Sequence, residues 1–328
     1  LFNNQIILVT GGTGSWGNEL VRQLLKLNPK EIRIFSRNES VQFLMKQKFN
    51  NNSKLHFLIG DIKEMDSLKM ASKGVDYIFH LAALKHVPVC EDQPLEALKT
   101  NVIGTQNVID VAIENKIKKV IYISTDKASN PINFYGMTKT MGERLIIHAN
   151  TLDTKTKFVC IRGGNVLGTN GSVIHVFNRQ IAEKGKVGIT DLNMTRFFLT
   201  LEEAINLIFK AVSESIGGEI FVMKMPRCKI IDLAAVLIEN SKKENIEIEI
   251  LGVRPGEKIH EVLISENESK NTISYDDEYF VILPSIPIKG LKEHYLKYKS
   301  VDFLSYSSGE GLMNKADIKK LLEKGGFI

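Results

Sequence analysis

The chain has 328 residues, 43% of them hydrophobic and 25% charged, a composition that excludes collagen-like and low-complexity chains. Its formal charge of +5 and pI near 8.9 come from dispersed lysines without an arginine-rich block, which argues against a nucleic-acid partner. Cys90, Cys160 and Cys228 lie far apart and read as reduced thiols; with no signal-peptide pattern and no apolar run near the roughly 20 residues that span a bilayer, a cytoplasmic protein with no membrane association is expected.

Residues 5–10 form a short apolar, β-branched run that reads as a buried strand. Gly11-Gly12-Thr13-Gly14-Ser15-Trp16-Gly17 follows at once, and Leu20, Val21, Leu24 and Leu25 then recur at helical spacing. Strand, glycine turn and helix together form a candidate phosphate cradle. Gly11 permits the tight turn, Gly14 lets backbone amides approach a pyrophosphate, and Gly17 allows the helix to pack closely on the strand. The second strand, 31–36, ends in Ser36-Arg37. An acid at this place holds a ribose 2′-hydroxyl, whereas arginine accommodates a 2′-phosphate, so Arg37 favours NADP; nearby Glu39 keeps NAD as the other candidate. The third strand, 54–59, runs into Gly60-Asp61-Ile62, and the fourth, 77–81, into Ala82-Ala83. Ligands bind at the carboxyl ends of parallel strands, so Asp61, Ile62, Ala82 and Ala83 should border the cofactor. His80 reads as a packed core residue, and Lys85 lies on a loop facing the substrate side.

Residues 96–115 read as one long helix and 119–124 as the fifth strand, which delivers Ser124-Thr125-Asp126-Lys127 to the same end of the sheet. Tyr135-Gly-Met-Thr-Lys139 then opens a helix over 135–150. Residues four apart on a helix are neighbours, and a cation beside a phenol lowers its pKa from about 10. Tyr135 thereby becomes a usable base, assisted by Lys139. Asp126-Lys127 is a second acid–base pair, which one alcohol oxidation would not need.

The sixth strand is 158–162, and the alternation so far is that of a Rossmann-type doubly wound parallel sheet in an α/β fold. Residues 163–172 read as a glycine-rich loop too mobile to be a strand. Helix 173–184, polar loop 190–196, strand 197–200, helix 201–215, strand 219–223, helix 230–240 and strand 246–251 follow. Residues 252–258 are an exposed charged turn, and the tail from Phe280 is irregular up to a final helix near 315–324. The expected organisation is a dinucleotide-binding domain over 1–166, with 197–226 returning to it. Residues 167–196 and 227–328 would form a smaller C-terminal α/β substrate-binding domain and tail.

The Gly-x-x-Gly-x-x-Gly spacing and Tyr-x-x-x-Lys resemble the short-chain dehydrogenase/reductase superfamily, and the chain length its extended branch. Thr10-Gly-Gly-Thr-Gly-Ser15, Ala82-Ala-Leu-Lys-His-Val-Pro88, Ser124-Thr-Asp-Lys-Ala128, Tyr135-Gly-Met-Thr-Lys139, Met194-Thr-Arg196 and Arg254-Pro-Gly-Glu-Lys258 together resemble the UDP-N-acetylglucosamine 4,6-dehydratases that invert carbon 5. Longer membrane-anchored relatives retain that configuration and carry Met at the Tyr135 position; Tyr135 and the short amino-terminal region imply the inverting type. Two departures stand out. Arg162-Gly163-Gly164-Asn165 replaces the usual Arg-Tyr-Gly-Asn, and His175 stands near a usual Pro.

The resemblance implies roles for each group. Tyr135 with Lys139 would remove the sugar 4-hydroxyl proton and Thr125 would hold that hydroxyl. Lys127 would take the carbon 5 proton, which needs a depressed pKa, and Asp126 would protonate the departing 6-hydroxyl, which needs a raised one. Asn165, Arg196 and Arg254 would lie near the diphosphate and Glu257 near the uridine ribose, with Ser172, Val173 and Lys85 as further substrate contacts. Thr13, Ser15 and Trp16 would join the cofactor turn, and the chain would form a homo-oligomer. No metal-ligand spacing is present. A nucleotide-sugar 4-epimerase, a dehydratase of another UDP- or TDP-sugar, and a non-enzymatic NADP-sensing protein are the competing readings.

Overall fold

The computed structural model describes residues 1–152, 155–169 and 171–328. β1 (Ile6–Thr10), β2 (Glu31–Ser36), β3 (Leu55–Ile59), β4 (Tyr77–His80), β5 (Lys119–Thr125) and β6 (Lys157–Gly163) alternate with helices. They pair in parallel in the spatial order β3-β2-β1-β4-β5-β6. The order reverses between β1 and β4, the switch point where such sheets open a ligand crevice. Continuous apolar runs make these strands, because both faces of the sheet are covered: Ile7, Leu8, Val9, Ile78, Phe79, Val120 and Ile121 have no exposed surface.

The chain then leaves the sheet. β7 (Asn165–Val166), β8 (Lys186–Ile189) and β9 (Thr195–Leu199) come before β10 (Ile220–Met223), which returns beside β6 in parallel. β11 (Arg227–Lys229), β12 (Glu247–Ile250), β13 (Val262–Ile264), β14 (Thr272–Ser274), β15 (Tyr279–Ile282), β16 (Lys299–Ser300) and β17 (Tyr306–Ser307) follow. β15, β14 and β16 extend the large sheet antiparallel beyond β10. The tail expected to be irregular from Phe280 thus begins inside β15, and β14, β15 and β16, expected in the smaller domain, lie on the large sheet. Short strands with polar ends such as Ser274 and Lys299 give too weak an alternation to be seen in sequence.

A second, smaller core gathers Leu167, Ile174, Phe177, Ile181, Val187, Leu233, Leu237, Ile318 and Leu322. β9 separates the two cores by its two-residue period. Phe197 and Leu199 face the large core while Phe198 faces the small one. The glycine-rich stretch after Arg162 is also not wholly loop, since β7 lies parallel on β9, with Leu167 N donating to Leu199 O at 2.9 Å. Asn170 of that stretch lies outside the described residues. The helix expected over 96–115 is Pro94–Leu98 and Gly104–Glu114 joined by a π-turn, Lys99–Ile103. No helix among the described residues is long and apolar enough to cross a membrane.

Candidate active site

The glycine turn after β1 is shaped by contact. Gly11 has φ +68°, and a Cβ there would come within 2.7 Å of Ala82 N; one on Gly17 would meet Gly12 O at 2.1 Å. A Cβ on Gly14 would meet only Gly11 O at 3.6 Å, which leaves the cleft side of this turn open. Gly14 is also the N-cap of helix Ser15–Lys26, with no side-chain cap and no acid in the first turn. Those orphan amides are a natural anion site. Thr10 Oγ1 lies 2.7 Å from His80 Nδ1, and His80 Nε2 3.0 Å from Thr105 Oγ1. Burial, then the charge of Lys139, lowers His80 to about 3, so it is a neutral core residue that braces β1 against β4.

A cleft of about 710 Å³ opens along these strand ends. Gly11, Thr13, Gly14, Ser15, Trp16 and Gly17 form its floor, and Ser36, Arg37, Asp61 and Ile62 one end. Ala82 and Ala83 lie in the middle, with Thr125, Lys127, Tyr135 and Lys139 beyond them. Lys85, Asn165, Ser172 and Val173 line the far wall. Arg37, 58% exposed, lies 3.8 Å from Asp61.

Helix Phe134–Ala149 carries Tyr135 and Lys139, and Asn133 caps it by accepting from Gly136 N at 2.8 Å. Lys139 Nζ donates to Ile123 O at 2.7 Å and stands 3.9 Å above the Tyr122 ring. Burial, only partly opposed by Glu143, pulls its pKa down to about 8. Tyr135 moves the other way from the sequence expectation. Burial pushes it up to about 12, against the charge of Lys127 and a hydrogen bond with Thr125. The cation that eases its ionisation is therefore Lys127, because Lys139 is turned toward Ile123 and Tyr122.

Lys127 also corrects its expectation. Its Nζ lies 3.0 Å from Asp126 Oδ1 and 3.4 Å from Glu261 Oε1. Burial alone would lower its pKa, but the two carboxylates carry it well above the ordinary lysine value. Lys127 is an ion-paired ammonium here, not a free amine. Asp126, fully buried, also accepts from Thr125 Oγ1 at 2.8 Å. It lies beneath the cleft surface rather than on it.

The four residues expected at the nucleotide divide, and of them Asn165 lines the cleft. Arg196 does not line the cleft; it is 8% exposed, donates to Thr195 O at 2.7 Å and Ile259 O at 3.2 Å, and lies 3.6 Å from Glu261. Arg254 is exposed on its turn. Glu257 is half-buried, and its Oε2 is a buried atom without a hydrogen-bond partner, as are Ser124 Oγ, Ser172 Oγ, Asp126 Oδ2 and Glu261 Oε2. Of these residues Ser124 and Ser172 line the cleft, as does Thr100, whose Oγ1 is likewise buried and unpaired, so three hydroxyls there are available to polar groups of a ligand. The two departures from the resembled pattern lie off the cleft. The side chain missing at Gly163 would face Met223 Sδ at 3.1 Å. His175 is exposed, with Nε2 3.2 Å from Gly168 O.

Sequence reasoning missed Thr100 and Glu261, and it placed Ser124 at the site without giving it a role. Thr100 lines the cleft from the π-turn. The next residue, Asn101, accepts from Leu84 N at 2.8 Å and donates to Leu84 O and Thr138 Oγ1, each at 2.9 Å. An asparagine in mid-helix was the available signal, since wide turns recur at functional sites. Among the described residues no group of three or more His, Cys, Asp or Glu could hold a metal ion.

A twisted parallel sheet with a glycine-turn cleft and Tyr-x-x-x-Lys defines the class of extended short-chain dehydrogenases. The chain belongs to the polysaccharide biosynthesis protein family, whose model matches residues 7–283. A Methanocaldococcus jannaschii protein named as an uncharacterized membrane protein is 45% identical, covering 100% of this chain and 98% of that one. A Campylobacter jejuni UDP-N-acetylglucosamine 4,6-dehydratase (inverting) is 43% identical over 88% of this chain and 85% of its own. A Rickettsia rickettsii protein named UDP-glucose 4-epimerase is 41% identical, covering 98% and 96%. The crystal structure of Pen from Bacillus thuringiensis superposes with a TM-score of 0.91 at 40% identity, covering 98% and 99%.

Proposed function

We propose that this chain is an NADP-dependent 4,6-dehydratase of UDP-N-acetylglucosamine that inverts carbon 5, a hydro-lyase acting as a homo-oligomer. The observation that carries the reading is the Asp126–Lys127 ion pair beside Tyr135. It is a second acid–base device that simple oxidation at carbon 4 does not require. The names of the Campylobacter relatives support it.

The residues fit a nicotinamide dinucleotide: the open Gly14 turn and the helix amides suit a pyrophosphate, and Arg37 suits a 2′-phosphate. When bound, NADP would supply the chemistry of taking a hydride from carbon 4 and giving it back at carbon 6. Thr125 and Tyr135 hold the 4-hydroxyl, and Tyr135 receives its proton under the positive charge of Lys127.

The ketone acidifies the carbon 5 proton. One proton shift across the 3.0 Å from Lys127 Nζ to Asp126 Oδ1 turns the ion pair into a neutral amine and a carboxylic acid. The amine takes the carbon 5 proton, and the acid, buried beneath the cleft, passes its proton by way of the Thr125 hydroxyl 2.8 Å away to the departing 6-hydroxyl, which leaves as water. Both groups end as the ion pair they began as; when hydride returns to carbon 6, carbon 5 gains a proton on the opposite face, balanced over the cycle by the 4-hydroxyl proton that Tyr135 took up. Burial of the pair strengthens each of these interactions. Asn165, Ser172 and Val173 on the far wall, with Arg254 and Glu257 on the facing turn, would hold the UDP moiety.

A UDP-glucose 4-epimerase is the second reading, favoured by the names of the Rickettsia relatives. It would need Thr125, Tyr135 and Lys139 but not Asp126 and Lys127. Incubation with UDP-N-acetylglucosamine in deuterated water, followed by mass and NMR spectra, separates the two. Loss of one water with deuterium at carbon 5 is the expected result. An isomer of unchanged mass would establish the epimerase, and no turnover of any UDP-sugar would overturn both.

A further inference from the structure

Glu261 is 3% exposed and enters the site from the chain just before β13. Its backbone is clamped by Ser308, with Glu261 N donating to Ser308 Oγ at 2.9 Å and Ser308 N to Glu261 O at 2.8 Å. Its Oε1 faces Lys127 Nζ at 3.4 Å and Arg196 Nε at 3.6 Å. Arg196 is itself fixed by two carbonyls. Lys258, whose Nζ donates to Ser129 O at 2.8 Å, adds a third cation near the pair Asp126 and Glu261.

Burying a carboxylate costs several kcal/mol unless it is fully paired. The fold shows what full pairing looks like at Glu143, Arg162 and Glu268, where every carboxylate oxygen is hydrogen-bonded. Glu261 instead leaves Oε2 buried without a partner. That arrangement suits a group that steers a charge more than one that only secures the fold.

We propose that Glu261 is a positioning residue for the elimination step, holding the Lys127 amine between two carboxylates and thereby setting the proton balance between Lys127 and Asp126. The proposal rests on the dehydratase reading, but one of its tests does not. Acylation of Lys127 by a small anhydride, quantified by peptide mass spectrometry, needs no substrate. Removing the carboxylate beside an ammonium lowers its pKa, so Glu261→Gln should raise labelling of Lys127 at fixed pH by about tenfold. Glu261→Asp should stay near wild type and covers the case in which the Gln variant does not fold. Equal labelling in wild type and a folded Gln variant overturns the proposal whatever the enzyme acts on.

With UDP-N-acetylglucosamine, Glu261→Gln should slow deuterium uptake at carbon 5 by about 100-fold, because the Lys127 amine, although more often free, is then a weaker base and no longer held between two carboxylates. Formation of reduced cofactor on mixing should change by no more than about threefold, and Glu261→Asp should restore part of the exchange. Equal losses in both half-reactions would show a merely structural residue and overturn the assignment. If wild type turns over no UDP-sugar, the dehydratase reading fails while the labelling result still stands.

Discussion

The side-chain amide of Asn133 donates to the carbonyl of Gly256 at 2.8 Å while its own carbonyl accepts from Gly136 N at 2.8 Å. One residue therefore caps the helix bearing Tyr135 and ties it to the turn bearing Arg254 and Glu257. Asn133→Ala removes both contacts. Loss of a cap costs about 1 kcal/mol, so thermal denaturation should show a modest drop. KM for the UDP-sugar should rise, while the NADP dissociation constant stays unchanged in a direct binding titration.

Lys127→Met and Asp126→Asn each leave the glycine turn untouched. Both should bind NADP normally and lose water elimination by at least about 100-fold; Asp126→Asn should still form reduced cofactor with UDP-N-acetylglucosamine, and Lys127→Met should do so more slowly, since it also removes the charge beside Tyr135. Product NMR checks this; normal dehydration in Lys127→Met would remove Lys127 from the mechanism.

Lys139 gives a stability test. Its pKa is about 8 in the fold against 10.5 for a free lysine, so the unfolded chain binds more protons between those pH values. Stability contributed at this site therefore rises as pH climbs from about 8 to 10.5 and is lowest below 8, where the buried amine must be charged. Urea midpoints of wild type and Lys139→Met, compared across that window, should converge as pH rises. The variant should be the more stable at neutral pH and inactive.

Arg37 stands at the end of β2 with more than half its surface exposed toward the cleft. Arg37→Ala should weaken NADP by about tenfold or more, the loss of a charge-assisted hydrogen bond to phosphate, and leave NAD affinity nearly level. Isothermal titration with both dinucleotides measures it. Equal loss for the two would remove Arg37 as the selector.

Arg162 is fully buried between Glu143 at 2.6 Å and Glu268 at 2.9 Å. Burial acts against Glu268 ionising, but Arg162 holds its carboxyl down at about 2. Arg162→Met strands two carboxylates and should cost about 3–5 kcal/mol in urea denaturation. Because Ser129 Oγ donates to the same Glu268 at 3.2 Å, the loop after Lys127 should also loosen, visible as faster hydrogen exchange there.

The parallel strands β1 to β6 were legible because a strand covered on both faces must be apolar along its length. The glycine turn was legible because strand, turn and helix occur in one unbroken run. What escaped was set by residues distant in sequence. The pairing of Lys127 with Glu261 depends on how β13 is threaded, so its polarity could not be read beside Asp126. Arg196 was expected at the diphosphate from the resemblance and because a guanidinium fork suits phosphate oxygens, whereas Ile259 and Glu261 capture it in the fold. The strands β14 to β16 are too short and mixed to announce a sheet, and the π-turn at Thr100 leaves the helical period almost unchanged.

The position of β10 has a consequence for the growing polypeptide. β6 pairs with β5 on one side, and its other edge is covered by β10, through Ile220 against Cys160 and Phe221 against Ile161. β15 covers β10 only later still. On the ribosome, the finished first six strands therefore present an unpaired apolar edge until some sixty further residues have emerged. An amino-terminal fragment ending near residue 166 should be made as aggregating material rather than as a free-standing cofactor-binding module.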